Sequence, residues 1–133
     1  YQRWFHLCRQ SPRIPARHCV FDSTNPDIIY VTYYHSMICR FNWRTRIETT
    51  VMDNVFCSGI FDVQCNPRYS NLLALRSTTA IYVYDTKSAS VLCTLTRQTN
   101  AMEWSSDGTR IIVHSILVDP DTNTATMYLW EWK

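Results

Sequence analysis

The sequence predicts an all-β repeat protein built from small antiparallel sheets of four strands. The first observation is a four-residue ending that occurs three times: Phe41-Asn42-Trp43-Arg44, Tyr84-Asp85-Thr86-Lys87 and Trp130-Glu131-Trp132-Lys133. Each copy is an aromatic residue, an acid or amide, a variable residue and a base. The copies start 43 and 46 residues apart, a spacing that suits one small supersecondary unit per repeat. The second observation is that short apolar, β-branched and aromatic runs alternate with turn residues before each ending. The third is composition: 46% apolar, 18% charged and 14% aromatic residues describe a folded globular chain. Gly59 and Gly108 are the two glycines, so the turns must use Asn, Asp, Ser and Pro.

The elements follow in order. Residues 1–17 differ from the rest and form a connector or a basic arm. Within them Tyr1–Cys8 reads as a short helix or an outer strand, and Pro12 and Pro15 enforce an extended path. The regular pattern is expected to begin at His18. The first unit, 18–59, has strands at Cys19–Asp22, Ile28–Tyr34, Met37–Asn42 and Ile47–Met52. Asn25-Pro26-Asp27 and His35-Ser36 are its turns. Ile28–Tyr34 is apolar on both faces, as a strand covered on both sides should be. The second unit, 60–99, has strands at Phe61–Cys65, Leu72–Leu75, Ala80–Asp85 and Ser90–Leu95. The third, 100–133, has strands at Asn100–Trp104, Arg110–Ser115 and Thr126–Trp132, with no fourth strand. Between the last two, Asp119-Pro120-Asp121 and Asn123 mark a longer connection.

The repeats can be placed in register. A shift of 43 puts Val20 on Val63, Ile29 on Leu72, Ile38 on Ile81 and Asn42 on Asp85. A shift of 39 puts Cys65 on Trp104 and Leu72 on Ile111.

Other features bound the function. The net charge of +2 is too small to define an electrostatic nucleic-acid binder. Arg3, Arg9, Arg13 and Arg17 nevertheless sit in the first seventeen residues without an acid among them. With Trp4 and Phe5 as stacking platforms they offer an RNA-binding alternative. No apolar run approaches the ~20 residues of a membrane-spanning helix. The six cysteines, Cys8, Cys19, Cys39, Cys57, Cys65 and Cys93, form no CxxC pair and no zinc spacing. Several lie in apolar runs, so they read as reduced and structural, which points to the cytoplasm or nucleus.

With these residues in place, the chain resembles the WD-repeat family of β-propellers. Trp104-Ser105-Ser106-Asp107-Gly108 is similar to that family's aromatic-Ser-Pro-Asp-Gly turn, with Ser in place of Pro. Tyr84-Asp85 and Trp130-Glu131 resemble its Trp-Asp ending with one change each. The resemblance spans about 18–133 and implies four-stranded propeller blades. No Trp-Asp dipeptide and no Gly-His pair occurs, so the repeats are degenerate. Three blades cannot close a propeller. The implied fold is an incomplete propeller whose remaining blades come from the same chain or a partner, and Ile28–Tyr34 is expected to be exposed in the isolated piece.

No catalytic set is evident. His6, His18, His35 and His114 are scattered, no GxSxG elbow occurs, and neither a phosphate loop nor a dinucleotide fingerprint is present. Asp119 and Asp121 read as a hairpin tip rather than a calcium loop. The expectation is a non-enzyme with no metal and no cofactor, acting as a protein–protein interaction scaffold. The resemblance also offers a sharper alternative. In some WD-repeat proteins a Trp-Asp-x-Arg ending docks to the propeller adaptor of cullin–RING ubiquitin ligases. Asn42, Trp43 and Arg44, Asp85 and Lys87, and Glu131 and Lys133 occupy the corresponding positions, with Arg44 the best single candidate. Trp43 and Trp132 are expected either to pack between sheets or to stand out as aromatic anchors.

Overall fold

A computed structural model describes residues 16–34, 37–53, 59–119, 121 and 124–132. They contain eleven strands and no helix: β1 (Ala16–Phe21), β2 (Ile28–Tyr33), β3 (Met37–Asn42), β4 (Ile47–Met52), β5 (Ile60–Cys65), β6 (Leu72–Ser77), β7 (Ile81–Asp85), β8 (Ser90–Leu95), β9 (Thr99–Trp104), β10 (Arg110–Asp119) and β11 (Thr124–Glu131). Three antiparallel sheets result, with orders β1-β2-β3-β4, β5-β6-β7-β8 and β9-β10-β11. Hydrogen-bonded strand neighbours are also sequence neighbours, which is the meander of a propeller blade. The first strands meet along an inner edge, β1 touching β5 and β5 touching β9.

The sheets stack face to face because their middle strands are apolar on both sides. Ile28, Tyr30, Ile38 and Met52 of the first sheet close one core with Ile60, Val63, Leu73, Leu75 and Tyr84 of the second. The opposite face of the second sheet, through Leu72, Ala74, Ile81 and Val83, packs on Met102, Ile111 and Val113 of the third. Ile29, Val31, Tyr33 and Cys39 form a further buried cluster on the first sheet's other face.

All six residues of β2 are buried. The expectation that Ile28–Tyr34 would be exposed therefore fails for the strand itself, and only Tyr34, beyond its end, is exposed. The open apolar face lies instead on the third sheet, where Ile112, Met127 and Leu129 are 44%, 67% and 63% exposed.

The repeat register also needs correction. Ile28 pairs with Asn42, Leu72 with Asp85 and Arg110 with Glu131. Ile28, not Ile29, is thus the counterpart of Leu72, and Arg110, not Ile111, continues the series. The first hairpin carries one more residue than the second: Thr32 pairs with Ile38, but Arg76 pairs with Ile81. The turn before β10 is one residue shorter than the turn before β6, since Trp104 pairs with Ile111 and Cys65 with Leu73. The shifts of 43 and 39 hold on one side of these turns and slip by one on the other. Because side chains alternate along a strand, that slip exchanges the two faces.

The first strand begins at Ala16 rather than His18, so Arg17 lies within β1. In the third sheet, β10 runs on to Asp119 and pairs Val118 with Ala125 and Asp119 with Thr124. Much of the long connection expected after Ser115 is therefore ladder. His6, Cys8, His35, Cys57, Pro120, Asn123, Arg3, Arg9, Arg13 and Lys133 lie outside the described residues.

Candidate partner-binding surfaces

The first two copies of the ending fold as turns that close on themselves. The second residue of each caps the turn. The Asn42 Oδ1 accepts from the backbone N–H groups of Arg44 at 3.0 Å and Thr45 at 3.2 Å. The Asp85 Oδ1 accepts from the Lys87 N–H at 2.9 Å and from Asn71 Nδ2 at 2.8 Å, while its Oδ2 accepts from the Ser88 hydroxyl at 3.0 Å. The Asn71 amide is the main cause holding the Asp85 carboxyl below its ordinary pKa. Glu131 departs from this pattern: its Oε1 accepts from Arg110 Nε at 2.7 Å, and this bond raises the Arg110 pKa.

The third residue of the ending, variable in sequence, has one job in all three copies. Its side chain donates back to a carbonyl just before the middle strand. Trp43 Nε1 donates to the Pro26 carbonyl at 2.9 Å, Thr86 Oγ1 to that of Asn71 at 3.2 Å, and Trp132 Nε1 to that of Gly108 at 2.7 Å. The backbone N–H of each makes a parallel bond, to Asp27, Asn71 and Thr109 respectively. Trp43 and Trp132 are therefore half-buried turn clamps, neither strand residues nor free anchors. Trp132 also meets Trp104 edge-on, with ring centroids 6.2 Å apart.

In the first two copies the fourth residue is exposed. Arg44 has a side chain 63% exposed; its Nε donates to Asp27 Oδ1 at 2.7 Å. Its guanidinium lies 4.5 Å from the Trp43 ring centroid. Lys87 is exposed as well. The structure thus separates the candidate residues: Asn42, Trp43 and Asp85 are engaged in the turns, Arg44 and Glu131 are mostly exposed and each holds one surface ion pair, and Lys87 is exposed.

The turns after the first strands are joined from sheet to sheet. Ser23 Oγ donates to the Asn66 carbonyl. Asn66 Nδ2 donates to the Gly108 carbonyl at 2.9 Å, and Trp104 Nε1 to the Gln64 carbonyl at 3.1 Å. Asn66 had no motif to announce it; its signal was its place opposite Ser105, the first residue of the corresponding turn. Asp107 accepts from Ser105 Oγ at 2.6 Å and from the Thr109 N–H at 3.0 Å, and these bonds bring its pKa down to about 2.

At the other end of the inner edge, Asp62 lies 2.9 Å from His18 Nε2 and 3.9 Å from Arg76 Nε. Arg76 Nη1 reaches the Thr99 carbonyl at 3.1 Å. These contacts tie β1, β5, β6 and β9 together. Arg17, expected in a basic arm, packs its guanidinium against the rings of Tyr34 and Phe61. Burial pushes the Cys65 thiol up to about 12 and raises that of Cys93, so neither is a ready nucleophile. No disulfide links Cys19, Cys39, Cys65 and Cys93 among the described residues. No group of His, Cys, Asp and Glu among those residues could hold a metal ion. No helix among the described residues is long and apolar enough to cross a membrane.

No family model matches the sequence, and no curated protein does. Solved structures match its fold. The chain is similar to the WD40 domain of Toxoplasma gondii coronin, with 12% identity and a TM-score of 0.65, over 88% of this chain and 31% of that one. It is similar to a chain of an active polycomb repressive complex 2 in the basal state, with 12% identity and a TM-score of 0.68, over 93% of this chain and 27% of that one. A chain of the mitotic checkpoint complex matches at 16% identity and a TM-score of 0.63, over 88% of this chain and 37% of that one. The chain therefore spans only about a third of the length of these structures, and its fold is that of blades from a WD40 β-propeller.

Proposed function

We propose that this chain is a three-blade part of a WD-repeat-like propeller that serves as a non-catalytic protein–protein interaction scaffold. One observation carries the reading. Ile112, Met127 and Leu129 occupy the positions of Ala74, Ile81 and Val83 in the second sheet, as the pairs Ile112–Leu129 and Ala74–Val83 and the pairs His114–Met127 and Arg76–Ile81 align. Ala74, Ile81 and Val83 are 0% exposed because the third sheet covers them. The same face of the third sheet is uncovered, so a further blade is needed to bury it. The lack of disulfides among the described cysteines supports a cytoplasmic or nuclear setting.

A photo-crosslinking residue at Leu129 in the intact protein tests this. Cross-links to an apolar strand, from the same polypeptide or from another subunit, support the reading. A Leu129 site that cross-links to nothing overturns it.

A second reading, substrate-receptor docking to a cullin–RING ligase adaptor, is favoured by one feature: Arg44 is presented outward on the Trp43 ring. Asp27 competes for it. The Arg44→Glu variant in the intact protein should lose adaptor recovery in a pull-down, and unchanged recovery would sink this reading.

A further inference from the structure

The guanidinium of Arg17 sits in a slot made by two separate segments, Tyr34 after β2 and residues 59–61 at the start of β5. Its Cζ lies 3.9 Å from the Phe61 ring centroid and 4.5 Å from that of Tyr34. Phe61 belongs to β5 of the second sheet, and Tyr34 follows β2 of the first. Gly59 completes the slot: a Cβ there would stand 3.0 Å from Arg17 Nη1, tighter than ordinary contact. One of the chain's two glycines thus leaves the guanidinium its room.

Among the described residues, no acid pairs with this group. The described ion pairs are His18–Asp62, Arg44–Asp27, Arg76–Asp62 and Arg110–Glu131. Arg17 has no ion pair and no hydrogen bond among the described residues. Asp62, which follows Phe61 in sequence, is engaged by His18 at 2.9 Å and Arg76 at 3.9 Å. The Arg76 Cζ lies 5.9 Å from the centroid of the same Phe61 ring. Arg17 is thus a cation without an opposite charge among the described residues, and its field favours an anion.

The geometry fits one class of anion. Two rings packed against a guanidinium hold it through its π-system and do not consume its N–H donors. Their planar fork matches a carboxylate, which accepts two parallel bonds. Because the rings already fix the side chain, little rotamer freedom is lost on binding. Tyr34 is 42% exposed, and Arg17 and Phe61 are half-buried, so the slot opens to solvent.

We propose that Arg17, packed against Tyr34 and Phe61, receives a carboxylate from an acidic extended segment of a protein partner. The proposal rests on the scaffold reading only in taking the ligand from a protein.

The test uses the intact protein and a fluorescein-labelled hexaglutamate peptide, read by fluorescence anisotropy at low salt, where surface charges are least screened. Arg17→Gln should weaken binding by about tenfold or more, and Arg17→Lys by several-fold, because lysine keeps the charge but loses the planar fork. Gly59→Ala crowds Nη1 without altering charge and should also weaken binding. Circular dichroism establishes that each variant is folded. Unchanged affinity in folded Arg17→Gln overturns the proposal. If Arg17→Gln does not fold, unchanged affinity in folded Gly59→Ala overturns it instead. A labelled oligouridylate that binds more tightly than the peptide, and depends more on Arg17, also overturns it in favour of nucleic acid. Cross-linking at Leu129 is independent of all these outcomes, so failure of this site and failure of the scaffold reading are distinguishable.

Discussion

Asn66 and Gly108 join the second and third sheets: the Asn66 Nδ2 donates to the Gly108 carbonyl at 2.9 Å. The Asn66 side chain is fully buried, and its Oδ1 also caps its own turn through the N–H groups of Arg68 and Tyr69. Replacing it with alanine leaves buried partners unsatisfied. Asn66→Ala in the intact protein should lose about 2–3 kcal/mol in urea denaturation. A loss below about 0.5 kcal/mol would mean that the amide is replaceable by solvent.

Gly108 is the other half of the same contact. Its φ of +73° lies in the left-handed region, and a Cβ would stand 2.3 Å from Asn66 Oδ1. Gly108→Ala should therefore cost about 3 kcal/mol or more, from backbone strain and the clash together. In the double variant with Asn66→Ala the clash disappears while the strain remains. The combined loss should fall below the sum of the two single losses, and additivity would contradict the geometry.

The turn clamps give a matched set. Trp43→Phe, Trp132→Phe and Thr86→Val each remove the side-chain donor while keeping most of the bulk. Each should lower stability by about 0.5–1.5 kcal/mol. If Thr86→Val is neutral while the tryptophan variants are not, the loss comes from ring packing rather than from the shared hydrogen bond.

Arg44→Ala should be nearly silent in thermal denaturation, with less than about 1 kcal/mol lost, since its partner Asp27 is at the surface and its own side chain is mostly exposed. This makes the variant a clean probe of binding. A larger loss would show that the Arg44–Asp27 pair holds the turn.

Asp107 predicts a pH effect. Its pKa falls from 3.8 to about 2 in the folded protein, through the bonds from Ser105 and Thr109. A depressed carboxyl stabilises the fold above its unfolded pKa, and that contribution is lost as pH falls from about 4 towards 2. Asp107→Asn should flatten the drop in melting temperature over that window. An identical drop in both proteins would assign the acid sensitivity to other carboxylates.

Strand order and strand composition were legible because the apolar runs and turn residues agree along the whole chain. β3, β4 and β8 begin and end where the sequence places them. Register was not fully legible. A single extra residue in a hairpin changes no composition, yet it decides whether Ile28 or Ile29 faces the second sheet. The ending was legible as a turn through Asn42 and Asp85. The shared role of its third residue was not, because an indole N–H and a threonine hydroxyl look unrelated in sequence and are alike only as donors. The slot around Arg17 was hidden for another reason: Gly59, Phe61 and Tyr34 meet it only after two sheets have packed.

The sheet-to-sheet hydrogen bonds carry one last consequence, for the order of folding. Strand ladders here close over short loops, whereas Ser23–Asn66 and Asn66–Gly108 span 43 and 42 residues. Closing longer loops costs more chain entropy, so local hairpins should precede docking between sheets. Blades would then mature as units, and the bonds at Asn66 would be among the last formed. In native-state hydrogen exchange, amides of the β6–β7 ladder should outlast the Arg68 and Tyr69 amides bonded to Asn66; the reverse ranking would place the inter-sheet turn first.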